Sequence, residues 1–229
     1  MVPMRPVPHF QEELAALNQR LLAMGGLAED AVRRAVGGLS GRDQAALDRV
    51  CTGDEPLNQA NIDIDNRCFT LLALHQPLAA DLRAIIAAVK INSDLERVGD
   101  LAVNIAEAAG RYLAHPPVKP LVDLPAMGVI AQRMLREALD AYVRGDTALA
   151  RNVLEQDDQL DALKTRVFRD LITSMAEDPR RVEPAIELIL VSRHLERIGD
   201  HATNIAEDVI FMVSARDVRH SAPGAQTEE

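Results

Sequence analysis

Two nearly repeated stretches that carry carboxylates give the strongest chemical signal in the sequence. The stretch ERVGDLAVNIAE spans 96–107, and ERIGDHATNIAE spans 196–207. In each stretch a glutamate precedes an aspartate by four residues, as Glu96 and Asp100 and again as Glu196 and Asp200. Such a segment returning at half-chain distance indicates an internal duplication. Like charges at this spacing cost a helix about 0.2–0.5 kcal/mol, so their repetition suggests that the chain uses them.

Helical spacing separates these carboxylates from an apolar stripe. At about 100° per residue, Glu96 and Asp100 lie about 40° apart on a helix. Val98, Ala102 and Ile105 fall on the nearly opposite side, at about 180° to 240°. One helix therefore presents oxygen ligands on one face and small apolar side chains, suited to packing on a neighbour, on the other.

A second set of oxygen-bearing residues precedes each stretch. Asp157 and Asp161 are four residues apart, and their counterparts in the first half are Asp54 and Asn58. Antiparallel packing would bring each pair near the carboxylates of its own repeat. Oxygen ligands from two helices suit hard cations such as Mg, Mn, Ca or iron. The alternative is a solvated acidic stripe, which a single pair at this spacing usually forms. Because the pattern is repeated, the sequence favours the metal site and the solvated stripe about equally.

The apolar pattern predicts helices throughout and no strands. Apolar residues recur with a helical period, and no segment sustains the two-residue alternation of a strand. Asp43 and Asp146 are predicted N-caps, Pro56 is predicted to kink or break its helix, and Gly25–Gly26 is predicted to be a weak point in the first helix. Gly99 and Gly199 cost their helices about 1 kcal/mol each relative to alanine, which suggests close approach of a partner helix or ligand.

These signals together predict an all-α fold of two tandem, duplicated three-helix bundles with six long antiparallel helices. Met24–Asn58 aligns without gaps on Met127–Asp161, and short turns make consecutive helices antiparallel neighbours. The predicted bundles span 10–114 and 126–214, with a proline-rich linker at 115–125 and flexible tails at 1–9 and 215–229.

Composition excludes several classes of function. The net charge of −10 argues against binding nucleic acid, which needs a basic surface. The two cysteines are not spaced as CxxC, and no stretch is long and apolar enough to span a bilayer, so we expect a cytoplasmic protein. The motifs GxSxG, GxxxxGK[ST] and HExxH are absent, and no catalytic or organic-cofactor residue is assigned. His75, His194 and His201 are expected to be structural.

The sequence resembles the PhoU family of phosphate-transport accessory and regulatory proteins over nearly its whole length. The most specific segments are LERVGDLAVNIAE at 95–107, LERIGDHATNIAEDVIF at 195–211 and HQPLAADLR at 75–83. The resemblance implies two three-helix bundles whose (E/D)xxxD motifs bind multinuclear metal clusters, with iron or zinc in relatives and manganese also compatible. The implied metal ligands are Glu196, Asp200, Asp157, Asp161, Glu96, Asp100, Asp54 and Asn58. Asn58 departs from the family pattern because it replaces an acid.

The resemblance also implies a role and partners. The expected function is negative regulation of phosphate uptake and of phosphate-starvation signalling, through contacts with the phosphate-specific ABC transporter and the phosphate-sensing histidine kinase. A homodimer is left open. The alternatives from other classes are a carboxylate-bridged metal enzyme, either a hydrolase or an oxidase, and a metal-free helical scaffold.

Overall fold

A computed structural model describes residues 8–118 and 123–216, and helices account for nearly all of them. The predicted N- and C-terminal tails lie largely outside these residues, as do 119–122 of the predicted linker. The helices are α1 (Pro8–Gly41), α2 (Gln44–Cys51), α3 (Glu55–His75), α4 (Ala79–Leu113), α5 (Asp123–Arg144), α6 (Thr147–Glu177) and α7 (Val182–Ser214). A short 3₁₀ helix, Pro179–Arg181, joins α6 to α7. No strand occurs in the described ranges.

The six predicted helices are present, and the second of them is broken into α2 and α3. Asp54 precedes α3 and Pro56 lies in its first turn, where a missing N–H costs nothing because the first amides of a helix have no partner. The equivalent helix of the second half, α6, has Gln159 at the position of Pro56 and runs unbroken. The predicted break at Pro56 is therefore confirmed.

Side-chain caps fix the starts of α2 and α6 as predicted. Asp43 accepts a hydrogen bond from the amide of Ala46, and Asp146 accepts from the amide of Leu149, both at 3.0 Å. Helix α1 begins at Pro8, inside the predicted tail, and α5 begins at Asp123, inside the predicted linker. Proline is tolerated in the first turn of a helix, so neither Pro8 nor the Pro125 of α5 prevents these earlier starts.

The two halves pack against each other through four helices. Antiparallel α4 and α7 form one contact and antiparallel α1 and α5 form another, while α3 covers α1 and α4, and α6 covers α5 and α7. Alanines are frequent among the buried residues of α4, including Ala88, Ala102 and Ala109. Such small side chains let the motif-bearing helices approach closely while the opposite face of each remains available to α3 or α6.

Helix α1 continues without interruption through Gly25–Gly26, the predicted weak point. Gly25 faces Leu139 of α5 so closely that an added Cβ would overlap the Cδ1 atom of that leucine. The contact between the halves thus supports the helix where intrinsic propensity would weaken it. An added Cβ at Gly26 would meet no atom within 4 Å.

Neighbouring substitutions test this packing. We expect Gly26→Ala to stabilise the protein by about 0.5–1 kcal/mol, since alanine costs less backbone entropy in a helix. Gly25→Ala gains the same helical preference but is expected to lower the free energy of unfolding by about 1–2 kcal/mol, because overpacking costs more. Urea denaturation of the two variants measures the difference. Equal stability would mean that α1 and α5 are not packed as described.

Candidate metal centre

Four carboxylates gather on α6 and α7 in the second half, as the sequence predicted. The pKa of Asp157 is raised to about 6, mostly by burial and then by the negative charges of Asp200, Asp161, Glu196 and Asp158 in that order. Burial also raises the pKa of Asp200, with Glu196 and Asp161 as additional causes. Asp157 and Asp200 therefore lie within the electrostatic field of the other carboxylates of the cluster.

A glycine in each motif allows the helices to come this close. An added Cβ at Gly199 would lie 2.5 Å from Leu160 Cδ2 of α6 and 3.4 Å from Asp157 Oδ1. The first half repeats the contact, with Gly99 facing Leu57 Cδ1 at 2.9 Å. The glycines thus admit a leucine of the preceding helix, which confirms the predicted close approach of a partner helix.

Lys164 is the main cationic group of the second-half cluster, and the sequence interpretation missed it. Its Nζ lies 3.0 Å from Asp161 Oδ1 and 2.5 Å from Glu196 Oε1, so it joins α6 to α7. The hydrogen bond to Glu196 raises the pKa of Lys164. A lysine three residues after Asp161 was the available signal, because residues at that spacing share a helix face.

The donor chemistry of the cluster suits a hard cation, since carboxylate oxygens project from two facing helices. The carboxylates do not converge on a single point, however: within residues 8–118 and 123–216, no group of three or more His, Cys, Asp or Glu side chains is arranged to hold a metal ion. The Lys164 ammonium group contacts two of the four carboxylates. Burial is the largest cause of the raised pKa of Asp157, and the neighbouring carboxylates add to it. The side chains present thus fit a cation by donor type and charge.

The first-half residues are arranged differently. Asn58 Nδ2 donates to Asp54 Oδ2 at 3.3 Å, while Glu96 and Asp100 both contact Arg97, at 3.5 and 3.1 Å. Among the described residues, no hydrogen bond or ion pair joins Asp54 or Asn58 to Glu96 or Asp100. In the second half Lys164 joins Asp161 to Glu196 across two helices, so the two copies of the motif are not equivalent.

The histidines take part in structural contacts. His201 Nδ1 lies 2.8 Å from Asp94 Oδ1, which joins α7 to α4, and His75 Nε2 lies 2.8 Å from Glu13 Oε2, which joins α3 to α1. Lys90 adds a second polar contact between the halves, with its Nζ 2.8 Å from Asp208 Oδ1. These polar contacts across the α4–α7 interface could not be predicted, since they depend on the register of two distant helices.

Comparison with known proteins identifies the family. A family model described as the PhoU domain matches the chain twice, over residues 21–109 and 124–209. The chain belongs to the PhoU family. Each match covers one three-helix unit, so the predicted fold of two duplicated three-helix bundles is confirmed. The predicted family is confirmed as well.

PhoU relatives match almost the whole chain. A phosphate-specific transport system accessory protein PhoU homolog from Caulobacter vibrioides is 38% identical over 95% of this chain and 95% of its own. The homolog from Pseudomonas aeruginosa is 41% identical over 96% of this chain and 91% of its own.

Two solved structures share the fold. The crystal structure of PhoU from Pseudomonas aeruginosa superposes with a TM-score of 0.86 at 41% identity, covering 90% of this chain and 100% of that one. The phosphate transport system regulatory protein PhoU from Streptococcus pneumoniae gives 0.85 at 27% identity, covering 91% and 99%. In the part of this PhoU chain that the structure describes, no helix has the length and apolar character needed to cross a membrane.

Proposed function

We propose that this protein is a cytoplasmic, metal-binding regulator that lowers phosphate uptake and phosphate-starvation signalling. The observation that carries the proposal is the cluster of four carboxylates on α6 and α7, in a chain that belongs to the PhoU family. Relatives named as phosphate transport accessory or regulatory proteins match it over nearly its full length. The proposed partners are the phosphate-specific ABC transporter and the phosphate-sensing histidine kinase; a homodimer is a further possible assembly.

The metal would be held by Asp157 and Asp161 of α6 with Glu196 and Asp200 of α7. When bound, a di- or trivalent ion such as iron, zinc or manganese would supply positive charge to these carboxylates. The protein's own contribution is to hold α6 against α7 through the contact between Gly199 and Leu160, which keeps the two carboxylate pairs on facing surfaces. We propose a second and weaker site at Glu96, Asp100, Asp54 and Asn58, where Arg97 already contacts the first two.

One observation favours a second candidate, a metal-free helical scaffold. Lys164 already joins Asp161 to Glu196 and compensates part of their charge without any metal. A scaffold of this kind would bind partners through its helices alone. The scaffold and the metal-binding regulator differ in metal content, whereas a carboxylate-bridged hydrolase or oxidase would differ from both by showing turnover that depends on the same side chains.

Deletion of the coding sequence in its host tests the regulatory role. We expect phosphate uptake and starvation-gene expression to rise in phosphate-rich medium, because a negative regulator would be missing, and to return to normal when the wild-type chain is supplied. Radiolabelled phosphate uptake and a starvation-gene reporter measure the two effects. Unaltered uptake and expression after deletion would contradict the proposal.

A pair of variants then connects the role to the metal. Glu196→Gln with Asp200→Asn should fail to restore repression, because it removes two of the four second-half carboxylates. The matched control is Glu96→Gln with Asp100→Asn, which makes the same chemical change at the repeated positions of the first half. We expect the control to restore most of the repression. The same behaviour from both pairs would argue against a special role for the second cluster.

A further inference from the structure

The first half contains a cleft at a position that buried side chains fill in the second half. It lies between α1, the α2–α3 break and α4, and its volume is about 250 Å³. Its lining includes Ala31, Arg34, Arg49, Gly53 and Asp54. This volume is below the roughly 300–1,000 Å³ of pockets that bind drug-sized ligands, so the cleft suits a small ligand.

Comparison of equivalent positions in the two halves shows that two small residues open the cleft. The second half has Met134 where the first has Ala31, and Gln156 where the first has Gly53. Met134 is fully buried and Gln156 is 5% exposed. Gln156 accepts a hydrogen bond from Arg133 at 2.7 Å, which anchors its side chain in that space. The first half therefore has a ligand-sized opening at the position where the second half has a packed and hydrogen-bonded interior.

The charges at this position also differ between the halves. Arg34 stands where the second half has Glu137, and Arg49 where it has the neutral Asn152. Asp30, which also lines the cleft, stands where the second half has Arg133. In the second half, Glu137 Oε2 accepts hydrogen bonds from Asn152 at 3.1 Å and from Gln156 at 2.5 Å. Where the second half has a polar network that satisfies itself, the first half thus has two guanidinium groups beside a cleft.

Arg49 is the unmatched cation of the cleft. Within the described residues it makes no side-chain hydrogen bond or ion pair, whereas Arg34 Nε lies 2.6 Å from Asp30 Oδ2 in an exposed pair. Of the carboxylates nearby, Asp30 also pairs with Arg33, and Asp54 accepts from Asn58. A second opening of about 270 Å³ shares Arg34 and Arg49 and adds Arg33 and the helix-capping Asp43 to its lining. Three guanidiniums, those of Arg33, Arg34 and Arg49, therefore line the two openings together with the carboxylates of Asp30, Asp43 and Asp54.

We propose that this cleft binds a phosphate group, either as the free ion or as the phosphoryl group of a small ester. Guanidinium groups form paired, charge-assisted hydrogen bonds with phosphate oxygens. Arg49 would contact the anion directly, and Arg34 would exchange its exposed pair with Asp30 for the ligand, since exposed ion pairs are weak. The inference rests on the proposed function for its physiological meaning, because such a site would let a regulator of phosphate uptake respond to phosphate itself.

Binding measurements on the full-length protein test the assignment. Isothermal titration with inorganic phosphate, glycerol 3-phosphate and sulfate compares the sources of the ligand. We expect saturable binding of inorganic phosphate or of the ester, and the tighter of the two identifies the source. Sulfate should bind at least about tenfold more weakly. Sulfate binding as tight as either phosphate ligand, or the absence of binding by both, would overturn the proposal.

Variants separate a built site from general electrostatic attraction. Arg49→Gln should weaken phosphate binding by about 10- to 100-fold, the range expected for charge-assisted hydrogen bonds. Ala31→Met should weaken it by filling the cleft with the residue found in the second half. The matched control, Arg151→Gln, removes the same charge from an exposed position on α6 and should alter affinity less than about twofold. Equal losses from Arg49→Gln and Arg151→Gln in proteins that remain folded by circular dichroism would overturn the assignment.

Failure of this inference is distinguishable from failure of the proposed function. A chain that binds no phosphate in the calorimeter but whose deletion raises phosphate uptake would contradict the cleft assignment alone. A chain that binds phosphate through Arg49 but whose deletion leaves uptake unaltered would contradict the regulatory role alone.

Discussion

Replacing Lys164 with methionine is expected to destabilise the metal-free protein and to strengthen metal binding at the same time. Its ammonium group contacts Asp161 and Glu196 on two different helices, and the lysine side chain is 33% exposed. Loss of a partly buried cation leaves its carboxylates uncompensated, which we expect to cost about 1–2 kcal/mol, between the values for exposed and buried ion pairs. A metal would then enter without displacing an ammonium group, so its affinity should rise about tenfold or more.

Thermal unfolding with and without added Mn²⁺ measures both effects. Lys90→Met is the matched control. Lys90 likewise joins two helices, in this case α4 and α7, with its Nζ 2.8 Å from Asp208 Oδ1, and its side chain has a similar exposure of 36%. The control should lose stability without any change in metal affinity. If Lys164→Met binds Mn²⁺ no more tightly than the wild type, the lysine does not compete for a metal site.

The second large effect concerns Asp157 and pH. Burial and four neighbouring carboxylates raise its pKa in the folded protein to about 6, from an ordinary value of 3.8. The folded state therefore binds a proton more tightly than the unfolded state, and the stability of the metal-free protein falls as the pH rises from about 4 through about 6. Asp157→Asn removes this loss, and we expect it to stabilise the metal-free protein at pH 7 by about 1 kcal/mol after allowance for solvent screening.

Urea denaturation at pH 5 and pH 7 checks this expectation. The Asp157→Asn variant should lose less stability between these two pH values than the wild type does. The control is Asp158→Asn, a change at the adjacent exposed residue. Its carboxylate is the smallest of the causes that raise the pKa of Asp157, so the variant should keep most of the pH dependence of the wild type. A bound metal reverses the direction of this pH dependence, because a cation among the carboxylates favours their charged forms. Wild-type protein loaded with Mn²⁺ should therefore be more stable at pH 7 than at pH 5. An Asp157→Asn variant that is less stable than the wild type at pH 7 without metal would contradict the described cluster.

Most of the fold could be predicted because its signals are local. The caps at Asp43 and Asp146 and the break at Pro56 follow from what single residues do to a helix end. The duplicated motif indicated which helices carry the carboxylates, and the close approach at Gly199 followed from the presence of glycine within a helix. These features depend on residues that are near each other in the chain.

The features that were missed depend on contacts between distant helices. Gly25 packs against Leu139 of the other half, a contact that intrinsic helix propensity does not contain. Lys164 was visible as a neighbour of Asp161, but its second contact with Glu196 depends on how α6 lies against α7. The cleft beside Arg49 depends on a space that opens only when three helices are assembled.

Metal analysis by mass spectrometry on protein purified without added metal tests the central claim most directly. The account predicts that iron, zinc or manganese co-purifies with the wild type in proportion to protein, and that the Glu196→Gln and Asp200→Asn double variant loses most of it. The Glu96→Gln and Asp100→Asn control should retain most of the metal. A wild-type protein that carries no more metal than the Glu196 and Asp200 double variant would contradict the metal-binding account. The metal-free helical scaffold, in which Lys164 joins Asp161 to Glu196, would then be the remaining candidate.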